Sequence, residues 1–340
     1  MNIATSLPMR RPPGEWRFPK QLGWRTLLTI LIAILVVFRT GADVEIDHVV
    51  FESGKAIAAG VGLADDSQVA QGFGSILGQM FPPQVAEVTE VSRIDGLDRD
   101  RLPLFAHIET RTETVRSLDP ETMRMVARTT QREVLVEPLG YVRKVGAKLA
   151  ETLEIALWGT LLAVLIGAPL AFFGARNLSP HPLLVVLSRS VVSLLRAIPE
   201  LISALFFVLA YGFGPAAGVL ALALHAAGFL GKFYAEDIEN ADTGPQEALK
   251  AIGANRLKLL RYAILPQVLP QYIAYTLYIL DRNVRMATII GLVGAGGIGL
   301  ELKGRYDLYQ YAHVGTILIA IFFLVFALDQ LSSWIRRRWM

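Results

Sequence analysis

The chain contains no cysteine, which excludes disulfides, thiolate nucleophiles and cysteine-ligated metals but says nothing firm about compartment. Charge is scarce as well: only 19% of the 340 residues are charged, against roughly 25% in an average soluble domain. A basic face interleaved with aromatics, the footprint of a nucleic-acid binder, is missing. So are internal repeats, low-complexity tracts and any G-x-x-x-x-G-K-[ST] phosphate loop. No Ser or Thr has a recognisable His partner, and no paired residues suit an intramembrane enzyme, so no catalytic residue is expected. His225 and His313 are the histidines that fall in apolar stretches. His225 reads as a packed or cavity-facing neutral side chain, and no metal is expected.

Apolar length is what the chain has. It is 53% hydrophobic with a mean hydropathy of +0.44. A helix needs about 20 residues to cross a hydrocarbon layer about 30 Å thick. Ile155 to Ala175 gives 21 uncharged residues, and Leu308 to Leu328 is another such run. Leu201 to Gly231 spans 31 residues without a formal charge, interrupted by Gly212, Gly214 and Pro215. Those residues predict two helices and a tight turn. The first of the two is expected from Leu183, taking in Arg189, Arg196, Pro199 and Glu200. A fifth helix starts near Pro266. Leu27 to Phe38, between Arg25 and Arg39, is short for a span and resembles a signal peptide, but no A-x-A site follows closely. It reads as an uncleaved first helix.

The expectation is therefore an all-α integral membrane protein of about six spans, with both termini on one side. Arg10, Arg11, Arg17, Lys20 and Arg25 precede the first span, and Arg336, Arg337 and Arg338 follow the last. Basic flanks place that side in the cytoplasm. The expected divisions are residues 1–42 (N-terminus and first span), 43–148 (extracytoplasmic), 149–335 (core, with a cytoplasmic loop at 240–265) and 336–340 (basic C-terminus). From Gln84 to Lys148 the chain is polar and charge-balanced. There Asp119-Pro120-Glu121 suits a helix start, and Val134-Leu135-Val136 a short strand or a buried turn.

In the loop, Pro245 suits a helix start, Glu247 its first turn, Gly253 its stop, and Asn255 the cap of a second short helix to Ile264. By periodicity alone this could equally be a polar loop with two amphipathic pieces. The spacing Glu247-Ala248, Gly253, Leu265-Pro266 resembles the coupling loop of bacterial ABC importer permeases: E-A-A, three residues, G, nine residues, I, one residue, L-P. Leu249 and Ala263 are mild departures. The segment from Asn283-Val284-Arg285 through Ala287-Thr288 and Gly291 to Val293–Gly299 is similar to the phosphonate ABC importer permeases. So are Ile155–Thr160, Leu194–Ile198, Gly253-Ala254-Asn255 and Leu265–Pro270. The resemblance covers about residues 150–335, is weaker over 20–82 and is absent over 84–148.

It implies a type I, MetI-like permease core in a bacterial inner membrane. Glu247, Ala248, Gly253, Ala254, Leu265 and Pro266 would engage a cytoplasmic ATPase dimer that binds the ATP and Mg. A second permease copy, a homodimer, and an extracytoplasmic binding protein complete the implied assembly. The cargo would be a phosphonate or a related oxyanion: phosphite, hypophosphite or phosphate. A permease for another small ligand such as methionine, or a membrane receptor, are the competing readings. Gly294, Gly296, Gly297 and Gly299 also satisfy G-x-G-x-x-G, but no βαβ context surrounds them. Glycines there suit close helix packing or a kinked backbone.

The fifth helix carries Asp281, Arg282, Asn283 and Arg285, about 22 Å beyond Pro266 at 1.5 Å per residue. Asp281 and Arg285 stand in the favourable i,i+4 order. Arg282 points away from them, toward a cavity or toward an acid such as Glu200. With Arg196, Glu200, Gly294, Gly296 and Gly297, these four are the candidate pathway and gate residues, and Arg282 or Arg196 the candidate contact for an oxyanion.

Overall fold

The computed structural model describes residues 23–60, 67–94, 96, 98–99, 102–103, 105–118 and 125–339. Residues 1–77 and 78–340 form two compact units. In the first, α1 (Trp24–Asp43) buries no residue, as suits a helix apolar on all sides and meant for lipid. At 20 residues it outgrows its twelve-residue apolar core and is long enough to span. α2 (Ile46–Gly60) packs against it, and α3 (Gln68–Met80) follows.

The second unit begins with a sheet that the composition of the segment conceals. β1 (Glu87–Glu90), β2 (His107–Leu118) and β3 (Met125–Glu137) form a three-stranded antiparallel sheet in the order β1-β3-β2. Val88 pairs with Val136, and His107 takes the other side of Val136. Val134, Leu135 and Val136 are buried, which makes the predicted short segment the packed end of a long strand. The helix start expected at Asp119-Pro120-Glu121 lies outside the described residues. The bundle is all-helical, and the sheet is added to it.

Two long helices organise the bundle: α4 (Gly140–Gly174) and α7 (Pro215–Asn240). They meet along small residues. A Cβ at Gly167 would stand 3.2 Å from Ala227 O, and one at Gly159 3.0 Å from Leu222 Cβ. Lipid offers no hydrophobic drive between helices, so this close approach and its dispersion contacts hold the pair. α5 (Pro182–Ala197) and α6 (Glu200–Tyr211) pack on α7. The sequence led to one helix through Arg196, Pro199 and Glu200; the structure breaks it at Pro199 and bends the two halves by 88°. Pro forces its predecessor out of the helical region, and Ile198 is extended. The predicted tight turn between α6 and α7 is present, with Gly212 and Gly214 at positive φ.

α8 (Thr243–Ala251) follows α7. The short helix α9 (Arg256–Lys258) then runs through a π-helical turn (Leu259–Ile264) into α10 (Leu265–Gly291). The second loop helix and the next span are therefore one element, not two. Prolines 266 and 270 cannot donate to the backbone ladder, and the wider turn just before them re-registers it. Gln267 Nε2 adds a bond to Ala263 O at 2.6 Å. α11 (Gly297–Asp307) and α12 (Tyr311–Trp339) complete the chain. Among the described residues five helices are long and apolar enough to span, or six with the bent α5–α6 pair counted as one, as the apolar runs predict.

Ion pairs fix the sheet to the bundle. Glu87 on β1 meets Arg305 of α11 at 3.1 Å and Lys144 of α4 at 3.6 Å; Glu301 meets Arg305 at 2.8 Å and Lys144 at 3.2 Å. Arg305 also lies 4.9 Å from the Tyr141 ring. Burial raises the Glu301 carboxyl, but the Arg305 hydrogen bond and the Lys144 and Arg305 charges outweigh it and hold the group below its ordinary 4.5. A carboxylate depressed on folding stabilises above its unfolded pKa, and that contribution is lost as pH falls through the folded value.

Two outcomes follow. Melting of the detergent-solubilised protein falls as pH drops below about 4.5, and Glu301→Gln flattens that slope; an identical slope in the variant would refute the linkage. Gly167→Leu overpacks the α4–α7 seam and costs about 1–3 kcal/mol, read as a lower melting temperature than that of Gly146→Leu, where a Cβ meets nothing within 4 Å.

Candidate functional site

Two constellations stand out, one at the end of the bundle where α8 projects and one inside it. The first is an elbow. The Asp242 carboxylate accepts from Gly244 N at 3.0 Å, so α8 begins at Thr243, two residues before Pro245. Glu247 is consequently in the second turn, not the first. The helix stops at Gly253 (φ +79°). Ala254 N donates to Leu249 O at 3.0 Å and Gly253 N to Lys250 O at 2.9 Å, the bond pair that closes a helix on a left-handed glycine. Leu249, a departure from the motif, and Ala254 both pack on the core behind the elbow. Asn255 caps the next turn by accepting from Lys258 N at 2.9 Å. Leu265 packs on the same core, and Pro266 is exposed at the start of α10.

The residue that ties the elbow down was not foreseen. Gln246 is 2% exposed, and its Nε2 donates to Ala241 O and Asp242 O, both at 3.1 Å. Asn177, just past α4, donates to Ile238 O at 2.8 Å, and Asp242 N donates to Gln267 Oε1 at 3.0 Å. A glutamine beside a proline in a polar loop gives no sign in sequence that it is buried. With its root fixed on α4, α7 and α10, the elbow exposes Glu247, Ala248, Ile252 and Leu257. Ile252 is 79% exposed.

The second constellation is a polar knot at the Pro199 break. Arg282 pairs with Glu200, the partner suggested by the sequence. His225 Nε2 lies 3.1 Å from Glu200 Oε1 and 3.2 Å from Arg282 Nη2. Its Nδ1 lies 3.0 Å from Ile198 O. A carbonyl only accepts, so Nδ1 carries the proton. That bond satisfies the carbonyl freed by the break, which lipid could not do. Arg282 and Arg196 both stand about 5 Å from the Phe229 ring. Arg285 meets Asp281 at 2.5 Å, as the i,i+4 order predicts. Asn283 is 1% exposed and donates to Thr160 at 2.9 Å, which ties α10 to α4.

Gly294, Gly296 and Gly297 make the turn from α10 to α11 with φ of 99°, 84° and 69°. Glu151 accepts from Gly297 N at 2.9 Å and Thr152 from Ile298 N at 2.8 Å. A Cβ at Gly294 would meet Phe213 at 2.2 Å. These glycines thus answer to backbone conformation and close packing. Among the described residues no group of His, Asp and Glu could hold a metal ion.

Removing one member of a buried pair leaves the other uncompensated. Arg282→Gln is therefore expected to destabilise the protein by about 3 kcal/mol, with Arg282→Gln/Glu200→Gln recovering most of the loss. Melting of the three proteins in detergent measures this, and a double variant as unstable as the single would refute the pairing.

Comparison with known proteins agrees with this architecture. Residues 163–339 match the family model described as binding-protein-dependent transport system inner membrane component. The "Putative phosphite transport system permease protein HtxE" of Stutzerimonas stutzeri is 59% identical over 76% of this chain and 99% of its own length. The phosphate-import permease protein PhnE of Mycolicibacterium smegmatis is 42% identical over 56% of this chain and 36% of its own length. A chain of the inward-facing MetNI methionine ABC transporter superposes with a TM-score of 0.51 at 23% identity, covering 58% of this chain and 96% of that one; this likeness concerns the fold alone. By the family match and the shared fold, the chain belongs to the inner membrane components of binding-protein-dependent transport systems and has a type I ABC importer permease core.

Proposed function

We propose that this protein is the membrane-spanning subunit of an ATP-driven importer for phosphite or a closely related phosphorus oxyanion. The observation that carries the mechanism is the elbow: a short, capped helix with an exposed tip and a root bonded to three helices of the bundle. Such a piece passes on a hinge motion, whereas a flexible loop absorbs it. Glu247, Ala248, Gly253 and Ala254 form the part that a cytoplasmic ATPase grips, and Leu265 and Pro266 link it to α10. The cargo class comes from the relatives named for phosphite and phosphate.

In this reading two copies of the chain pair in the membrane, two ATPase subunits dock on the elbows, and a binding protein delivers cargo from outside. The basic termini and the elbow face the cytoplasm, and the sheet faces outward. ATP and Mg belong to the ATPase, and this chain makes and breaks no bonds. Movement of the elbow shifts α10, whose charges are neutralised by Glu200 and Asp281 and whose Asn283 holds α4. The segment Glu200, Asp281–Arg285 and the turn Gly294–Gly297 then border the pathway.

The test is uptake of phosphite and of a phosphonate by cells that lack both activities, supplied with this chain, a candidate ATPase and a candidate binding protein. Uptake requires all three proteins. Glu247→Arg and Gly253→Trp lower it at least about tenfold at unchanged membrane abundance; a non-glycine residue at positive φ costs about 1–2 kcal/mol, enough to displace the tip. Failure of the chain to associate with any ATPase would sink the proposal.

A further inference from the structure

Arg282 is neutralised by Glu200, which directs attention to Arg196. A cavity of about 250 Å³ opens between α4, α5 and α7, room for about eight water volumes and so for a tetrahedral anion with part of its hydration. Arg189, Ser193 and Arg196 line it from one face of α5, Lys232 and Glu236 from α7, and Gly174 from the end of α4. Positions 189, 193 and 196 follow the i, i+4, i+7 rule for one helical face.

The cations there are not equivalent. Arg189 is taken up by Glu239 at 2.6 Å and Gly174 O at 3.0 Å. Lys232 lies 3.5 Å from Glu236. Arg196 has no carboxylate partner among the described residues, and its buried Nε has no hydrogen-bond partner at all. A guanidinium without an anion inside a membrane domain is costly. Packing nevertheless holds it there. A Cβ at Gly228 would stand 2.8 Å from Arg196 Cγ, so the glycine opens the lane along which the side chain crosses α7 to reach the Phe229 ring. The cavity, open along its rim at Ser193 and Glu236, thus combines space for an anion, one excess positive charge and a fork of donors whose geometry suits tetrahedral oxygens.

We propose that this cavity binds a phosphorus oxyanion with Arg196 as its principal donor and Lys232 at its rim. The same chemistry is offered by free phosphite and by a phospholipid headgroup. The proposal deepens the transport reading and rests on it for the choice of phosphite as a probe.

The experiment uses the full-length chain in complex with its ATPase in detergent. Phosphite binding is titrated calorimetrically, and retained phosphatidylglycerol is counted by native mass spectrometry. The proteins compared are the wild type, Arg196→Gln, Arg196→Lys, Lys232→Gln and, as a control for overall charge, Arg99→Gln. Loss of one charge-assisted donor weakens binding about tenfold or more. If free phosphite is the ligand, its affinity falls by that factor in R196Q, is partly kept in R196K and is unchanged in R99Q. If the headgroup is the ligand, retained phosphatidylglycerol follows the same order and phosphite does not bind. Equal phosphite and lipid binding in wild type and R196Q overturns the site. Should R196Q not assemble, K232Q decides: severalfold weaker binding supports the site and unchanged binding overturns it. Cellular uptake is scored separately. ATP-driven phosphite uptake with neither ligand bound overturns the site and leaves the transport reading standing; binding without uptake does the reverse.

Discussion

A backbone carbonyl in lipid has no water to turn to, and the bundle meets that constraint most sharply at Ile198. Pro199 ends one helix and starts another almost at right angles to it, freeing a carbonyl that only another side chain can satisfy. His225 supplies the bond, and its other ring nitrogen then sits against Glu200 and Arg282. One proline thus accounts for a histidine on α7, an acid at the start of α6 and an arginine on α10. The same three residues join α6, α7 and α10 within the bundle.

Close backbone contact is the complementary constraint. Gly159 and Gly167 bring α4 onto α7, Gly228 admits the arm of Arg196, and the Gly294–Gly297 turn seats α11 against α4. In water such contacts would add to a hydrophobic drive; in lipid they and a few interhelical hydrogen bonds replace it. The Asn283–Thr160 bond and the Tyr272 OH bond to Tyr234 O at 2.7 Å are of this second kind. Glycine and asparagine on apolar helices are therefore structural here in the sense in which leucine is structural in a soluble core.

The sequence was informative wherever the governing physics is local. Gly253 stops a helix and Asn255 starts a turn through bonds a few residues long, and Asp281 finds Arg285 one turn away. Span lengths and the Gly212–Pro215 turn were equally readable. Glu200 could be named as a partner for Arg282 because unpaired charges in a membrane must meet something. What stayed hidden depends on distant partners. Arg305 reaches Glu87 across 218 positions, and Gln246 becomes an anchor only once α4, α7 and α10 converge. The sheet leaves only a faint trace: Thr110, Thr112 and Thr114 alternate with Glu109, Arg111 and Glu113, a period of two masked by the polarity of the segment. The π turn before Pro266 had no comparable trace, since the prolines argued for a stop.

The length of α4 has a mechanical consequence. Its uncharged stretch from Ile155 is enough to cross the hydrocarbon, yet the helix begins at Gly140, so about 22 Å of it precedes that stretch. The ion pairs of Glu87 and Arg305 clamp the sheet to that free end. The helix is in effect a rigid mast with its pivot in the seam against α7. A tilt of about 10° about Gly159 would swing the masthead by about 5 Å, far more than the same rotation moves any atom at the seam. A small rearrangement among packed glycines is in this way amplified into a larger displacement of the end of the helix that carries the sheet.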